Sequence, residues 1–284
     1  DIYADLPAVQ TAFRRLVNVV PRRGLIVARA VSETVGQCIE RCYCRLETFG
    51  LNEGDWQAKD ISCRGEATEF TVLHRQRPLG RLAWKLSGEH NVLNALAAVA
   101  LATHYGIAWT DIRAAMESFA GVRRRMEVVG EAAGVTVVDD FAHHPTAIRE
   151  TLRAARQRFA GRRLWALLEP RSNTLRRKVF EEELVEALAL ADQVIVAEVY
   201  RSQKIAEHER LEPAKVIQGL QARGIVAEFG GTPQQILESL PARLQHGDVV
   251  IAMSNGAFGG IHRRLLEALA HTASQTAKSG LVSA

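Results

Sequence analysis

Four cysteines are all that the 284 residues contain. Cys38, Cys42, Cys44 and Cys63 lack paired C-x-x-C spacing, which argues against a zinc site and for reduced thiols. No apolar run approaches the ~20 residues of a membrane-spanning helix, and the start carries no signal-peptide pattern. A cytoplasmic protein with no membrane partner is the expectation. The chain opens at Asp1 rather than methionine, so its start reads as cut or processed. Aromatic residues make up only 6% and are not interleaved with the basic clusters at Arg22-Arg23, Arg123-Arg124-Arg125, Arg162-Arg163 and Arg176-Arg177-Lys178. That speaks against a nucleic-acid stripe and leaves anionic small molecules as the better partners. G-x-x-x-x-G-K-[ST] is absent, so nothing cradles a triphosphate in the P-loop manner. G-x-G-x-x-G is absent too, which weakens a dinucleotide reading.

What is present reads as α/β. The length allows one or two domains with real cores. Asp5 to Val20 is amphipathic, with Val9, Phe13, Leu16, Val17 and Val20 on one face. A short strand at Leu25–Ala28 and a helix at Val35–Cys42 follow. Period-2 stretches at Trp56–Cys63, Glu69–His74 and Leu79–Leu86 suggest an antiparallel patch. Gly88 opens an alanine-rich helix to about Tyr105, and Thr110 is a plausible cap for a second helix to Ser118. Beyond Gly121-Val122 the pattern changes. A hairpin flanks Gly134, and then helices alternate with apolar strands at Leu164–Leu168, Gln193–Ala197, Ile225–Phe229 and Val249–Met253. Alternation of that kind makes a doubly wound, mostly parallel sheet. The small, polar residues from 273 to 284 read as a disordered tail.

The polar residues gather where such a sheet places ligands, after its strands. Val137-Val138-Asp139-Asp140 ends a β-branched run and leads into Phe141-Ala142-His143-His144-Pro145. Pro145 suits the first turn of a helix. Three further loops follow strands: Glu169-Pro170-Arg171-Ser172-Asn173-Thr174, Glu198 to Lys204 with Tyr200 and Arg201, and Ser254-Asn255-Gly256-Ala257-Phe258-Gly259-Gly260-Ile261-His262. Guanidinium forks suit carboxylates. Any one of these loops reads equally well as ordinary capping; together they favour a polar, anionic ligand.

At this point the residues resemble a known family. Gly88-Glu89-His90-Asn91-Val92-Leu93-Asn94-Ala95-Leu96-Ala97-Ala98 is similar to the asparagine helix of the Mur ligases. Arg123-Arg124-Arg125-Met126-Glu127, followed by Asp139-Asp140-Phe141-Ala142-His143-His144-Pro145, resembles their passage into the C-terminal domain. The resemblance covers nearly the whole chain. It implies that residues 1–122 are the later part of the central ATP-binding domain, an α/β ATPase-type fold. It implies that residues 123–272 are the C-terminal Rossmann-like domain.

Mur ligases are ATP- and magnesium-dependent amide-bond ligases that work through an acyl phosphate. Asn91, Asn94, Arg125, Asp140 and His143 match positions near the nucleotide in the family. Arg171, Ser172, Asn173, Thr174, Tyr200, Arg201, Lys204, Ser254, Asn255, Gly256 and Phe258 fall where the incoming amino acid or peptide is met. No catalytic residue and no metal ligand is assigned within these residues, because the P-loop and the main magnesium ligands of the family belong upstream of residue 1. The loops at 169–174 and 253–262 resemble members that join UDP-N-acetylmuramate to the recycled tripeptide L-Ala-γ-D-Glu-meso-diaminopimelate, in peptidoglycan recycling. The alternatives are the members that add L-alanine, and a non-catalytic domain that binds nucleotide or peptide. The piece alone is expected to be inactive.

Overall fold

The computed structural model describes residues 2–64 and 67–282. It divides into two compact units, Asp1–Gly121 and Val122–Ala284. In the first, α1 (Leu6–Val19) begins where the Asp5 carboxylate accepts the Ala8 N–H at 2.8 Å, with Pro7 in the first turn. β1 (Leu25–Arg29) leads to α2 (Glu33–Ile39), capped by Ser32. β2 (Arg45–Gly50), β3 (Trp56–Arg64), β4 (Ala67–His74) and β5 (Arg77–Trp84) complete a sheet of order β1-β2-β3-β4-β5. It is parallel from β1 to β3 and antiparallel from β3 to β5.

α3 (Glu89–His104) places Val92, Leu96 and Val99 one above the other. These residues bury into a core with Trp56, Phe70, Leu82 and Trp84 of the sheet and Ile112 of α4 (Trp109–Ser118). The antiparallel patch expected from the sequence is therefore the second half of a mixed sheet. β2 has no counterpart in the sequence reading. It carries a glutamate at a fully buried position, which masks its alternation. Glu47 is tolerated there because it accepts the Trp56 indole N–H at 2.7 Å and pairs with Arg45. Thr110 is not the cap of α4. The helix already starts at Trp109, and its N-cap, Ala108, makes no side-chain bond.

The second unit opens with a hairpin, β6 (Glu127–Ala132) and β7 (Val135–Asp140). α5 (Pro145–Arg158), β8 (Leu164–Leu168), α6 (Glu181–Leu188), β9 (Gln193–Ala197), α7 (Pro213–Gln221), β10 (Val226–Gly231), α8 (Pro233–Ser239), β11 (Val249–Met253) and α9 (Ile261–Val282) follow. The sheet order is β10-β9-β8-β11-β7-β6, and every pairing except β6 with β7 is parallel. Every residue of β8 and β11 is buried, as a parallel sheet covered on both faces requires. One apolar layer joins the sheet to α5, α6 and α7, and the other joins it to α8 and α9. The tail expected to be disordered from residue 273 instead continues α9 to Val282. No proline interrupts that stretch, and a docked helix propagates one hydrogen bond at a time. Ser283 and Ala284, also in that expected tail, lie outside the described residues. Among the described residues, no helix is long and apolar enough to cross a membrane.

The amino ends of β8 and β11 are tied together by Asp248. Its carboxylate accepts from Arg163 Nε and Nη2 at 2.9 and 2.7 Å, from the Trp165 indole at 3.1 Å and from the Gln245 backbone at 2.8 Å. Burial works to raise this carboxyl, but its donors, led by Arg163, outweigh it and hold it below the usual carboxylate range. Asp248→Ala is expected to cost about 3 kcal/mol in urea unfolding at neutral pH. A depressed folded value means that the stabilisation is present above about pH 4, the unfolded aspartate value, and is lost as pH falls through the folded one. The acid limb of the stability curve should therefore be shallower in the variant than in the wild type.

Candidate functional site

The strand order decides where the polar loops go. β9, β8, β11 and β7 are consecutive neighbours and run in the same direction. The segments that leave their carboxyl ends, 198–204, 169–174, 254–258 and 141–144, therefore lie side by side. The ladder extends one step beyond the strands: Glu169 N–H donates to Met253 O at 3.1 Å, and Ser254 N–H to Asp140 O at 3.1 Å. Tyr200 N–H donates to Pro170 O at 3.0 Å, joining the next two loops.

Much of the polarity here is spent on the frame. Alternation along β7 sends Asp139 and Asp140 to opposite faces. Asp140 is only 2% exposed. Its carboxylate accepts the N–H groups of Met126 and Ala142, each at 2.8 Å, and the Thr151 hydroxyl at 3.1 Å. Burial nevertheless pushes it above its ordinary range. Asp140 is thus a brace for the start of the unit, with almost no surface left for a nucleotide. Ser254 is buried as well. Its hydroxyl donates to Glu169 Oε2 at 2.5 Å and accepts the Gly256 N–H at 2.9 Å. Phe258 lies wholly within the apolar layer under α8 and α9. A ring among these loops is as useful to the core as to a ligand, and here the core takes the Phe258 side chain.

Arg171 and Asn255 are placed differently. The Arg171 guanidinium stacks 3.7 Å from the Tyr200 ring centroid and lies 3.6 Å from the Glu169 carboxylate. Gly256 is glycine for a reason of space, since a Cβ there would collide with the Arg171 side chain. Asn255 Oδ1 is buried and has no hydrogen-bond partner among the described residues. Arg201, in a left-handed conformation, and Lys204 are exposed on the neighbouring loop. Ser172 turns back on the chain, donating to His143 O at 3.4 Å and accepting the Leu175 N–H at 3.1 Å. Asn173 accepts from Arg176, and Thr174 is half-buried.

The residues expected near a nucleotide fall in both units. In the second, Arg125 is exposed beside Phe141, 5.9 Å from the ring centroid. His143 Nδ1 contacts Phe141 O at 2.8 Å. In the first, Asn91 donates to Ser87 O at 2.8 Å and accepts from the exposed Asn94 at 3.3 Å. Sequence reasoning passed over Arg124. Its guanidinium reaches Asp139, Ser254 O and Gly256 O. A run of three arginines carries no sign of which one turns inward.

A profile described as "Mur ligase middle domain" matches residues 1–102, and one described as "Mur ligase, glutamate ligase domain" matches residues 124–256. The chain belongs to the Mur ligase family. Over 279 residues it is 39% identical to the UDP-N-acetylmuramate–L-alanyl-γ-D-glutamyl-meso-2,6-diaminoheptandioate ligase of Escherichia coli strain K12, covering 96% of this chain and 57% of that protein. It is 32% identical to the UDP-N-acetylmuramate–L-alanine ligase of Desulforapulum autotrophicum, covering 95% and 59%. A crystal structure of a murein peptide ligase from Psychrobacter arcticus superimposes with a TM-score of 0.68 at 34% identity, over 94% of this chain and 56% of that one. The chain thus spans somewhat more than half the length of these Mur ligases.

The brace role of Asp140 has a measurable consequence. Asp140→Ala strands two backbone N–H groups and a hydroxyl in the interior, at about 1–3 kcal/mol for each group left unsatisfied. A clear drop in thermal and urea stability of the isolated chain is expected. A variant that melts like the wild type would return Asp140 to the list of ligand contacts.

Proposed function

We propose that this chain is the acceptor-side part of a cytoplasmic, ATP-dependent Mur ligase that joins UDP-N-acetylmuramate to L-Ala-γ-D-Glu-meso-diaminopimelate. The observation that carries the reading is Arg171, a cation fixed over Tyr200 and against Gly256 at the mouth of adjoining polar loops. A guanidinium held flat in that way presents its fork to a carboxylate with little ordering left to do. Arg201 and Lys204 add exposed positive charge on the neighbouring loop. A peptide with several carboxylates uses such a set; free alanine, with one carboxylate and a methyl group, does not. The names of the relatives from Escherichia coli and Psychrobacter arcticus support the same choice.

In this reading ATP phosphorylates the muramic carboxylate with release of ADP, and the peptide amine attacks the acyl carbon, forming the amide C–N bond as the acyl C–O bond breaks and phosphate leaves. This chain's share is positioning, with Arg171 and the 254–256 loop holding the acceptor. Arg125, His143, Asn91 and Asn94 are proposed to lie toward the nucleotide. The magnesium that the family's chemistry uses is proposed to be held by the part of the full-length ligase that carries the P-loop. A second reading, addition of L-alanine, is favoured by the relatives named for that activity.

Four measurements test the proposal. The 284 residues alone should show no ATP hydrolysis and no amide formation, since they hold no P-loop sequence. In the full-length ligase, kcat/KM for the tripeptide should exceed that for L-alanine, and the opposite ratio would overturn the assignment. Arg171→Ala should lower tripeptide kcat/KM by at least about tenfold. Gly256→Ala should do likewise, because the new methyl displaces the same guanidinium.

A further inference from the structure

Arg124 makes more polar contacts across the second unit than any role as a surface cation requires. Its Nε lies 3.3 and 3.1 Å from the two oxygens of Asp139. Its Nη2 donates to Ser254 O at 2.5 Å and to Gly256 O at 2.7 Å, 130 and 132 residues away in sequence. Its backbone N–H donates to Glu127 Oε2 at 2.7 Å, and its carbonyl accepts the Phe141 N–H at 2.8 Å. The guanidinium packs 5.0 Å from the Phe141 ring centroid. On the far side of Asp139, His262 Nε2 of α9 stands 3.2 Å from Oδ1. To make all these contacts, the backbone of Arg124 sits at φ +58°, a left-handed conformation that costs a non-glycine residue energy.

The geometry of the clamped loop follows from this. Two carbonyls separated by one residue point at a single nitrogen, so the 254–255 and 256–257 peptide units both turn their oxygens inward, one before and one after the Asn255–Gly256 bond. From below, Ser254 Oγ holds the Gly256 N–H and is itself held by Glu169. The main-chain polar groups of Ser254 and Gly256 that face the protein are thereby occupied, while Asn255 Oδ1 between them is left with no partner among the described residues. A buried acceptor without a donor is costly, and a ligand N–H is one group that can complete it.

We infer that Arg124 is the positioning residue that shapes the 254–256 loop for a nitrogen-bearing acceptor, so that Asn255 can take an N–H of the incoming peptide. The inference rests on the proposed ligase activity for its kinetic consequence and on geometry alone for the clamp. Arg124 touches no reacting atom. It acts through Ser254 and Gly256, with Asp139 fixing its charge.

The test uses Arg124→Ala, Arg124→Lys and Asp139→Asn in the full-length ligase. Arg124→Ala is expected to raise KM for the tripeptide at least about tenfold while KM for ATP stays within about twofold, the size of effect that a misplaced binding loop produces. Arg124→Lys, with a single nitrogen, should recover only part of this. Asp139→Asn keeps both carbonyl contacts and should give a smaller rise in the tripeptide KM alone, which keeps the inference testable if Arg124→Ala fails to fold. Amide hydrogen exchange at Gly256, measured on the 284-residue chain, should quicken in Arg124→Ala and Arg124→Lys. Equal changes in both KM values, or an unchanged tripeptide KM with unchanged exchange, would overturn the inference. If the wild-type ligase does not use the tripeptide, the functional reading fails by itself, and the exchange rates still decide whether Arg124 clamps the loop.

Discussion

The parallel pairing of β9, β8, β11 and β7 is the constraint on which the second unit depends. Strands hydrogen-bonded in parallel must all end on the same edge of the sheet, and their connections must cross over on its faces. Four loops separated by up to about a hundred residues of sequence become neighbours for that reason alone. Two apolar layers hold the arrangement in place, one under α5, α6 and α7 and the other under α8 and α9. The chemistry at the edge is thus a by-product of burial. Val, Ile, Leu and Ala in the strands fix where Arg171, Tyr200 and Asn255 are found.

Sheet edges are expensive places for charge, because water is partly excluded and unpaired groups lose their solvation. The carboxylates here meet that cost internally. Asp140 is satisfied by two backbone donors and a hydroxyl, Asp139 by Arg124 and His262, and Glu169 by Ser254 and Arg171. Burial would raise the Asp139 carboxyl, but His262 and Arg124 outweigh it and keep it below its ordinary range. His144 is moved the other way. Burial and the nearby His143 hold its imidazole below the ordinary value, which suits it as the neutral acceptor of the Thr146 N–H at the start of α5. What remains over for binding is a short set of cations and amides. A rigid acidic frame with a few cations beside it keeps its polar groups preorganised.

The α/β architecture was legible from the sequence because its signals are local. Apolar runs of five residues alternate with helical periodicity, and Pro145, Pro213 and Pro233 stand in first helical turns where their missing N–H costs nothing. β2 was not legible, since its buried Glu47 depends on Trp56 from another strand. The site was legible as a set of loops and only partly as roles. Arg171 lies over Tyr200, and Asn255 Oδ1 has no hydrogen-bond partner among the described residues. Phe258 went to the core, and Asp140 and Ser254 went to the frame. A sequence shows which groups are near a strand end but not which of them the chain itself consumes. That depends on long-range partners such as Glu169 for Ser254, 85 residues apart. Arg124 is the same failure in reverse: its contacts are 130 residues away, and its neighbours Arg123 and Arg125 disguise it.

The register of the two central strands is fixed at both ends by polar contacts, and this bears on how sharply the site is defined. β8 begins directly after Arg163 and ends directly before Glu169. β11 begins directly after Asp248 and ends directly before Ser254. Arg163 binds Asp248 at the amino end and Ser254 binds Glu169 at the carboxyl end, with five residues of each strand between. A slip of one residue would break both pairs together and would turn every buried side chain of the strand to the opposite face. Either penalty alone is several kcal/mol on the scale of broken buried ion pairs and lost core packing. Their coincidence leaves the strands no low-energy alternative in translation. The carboxyl edge therefore inherits its precision from the interior, and the loops above it need only a few clamps of their own.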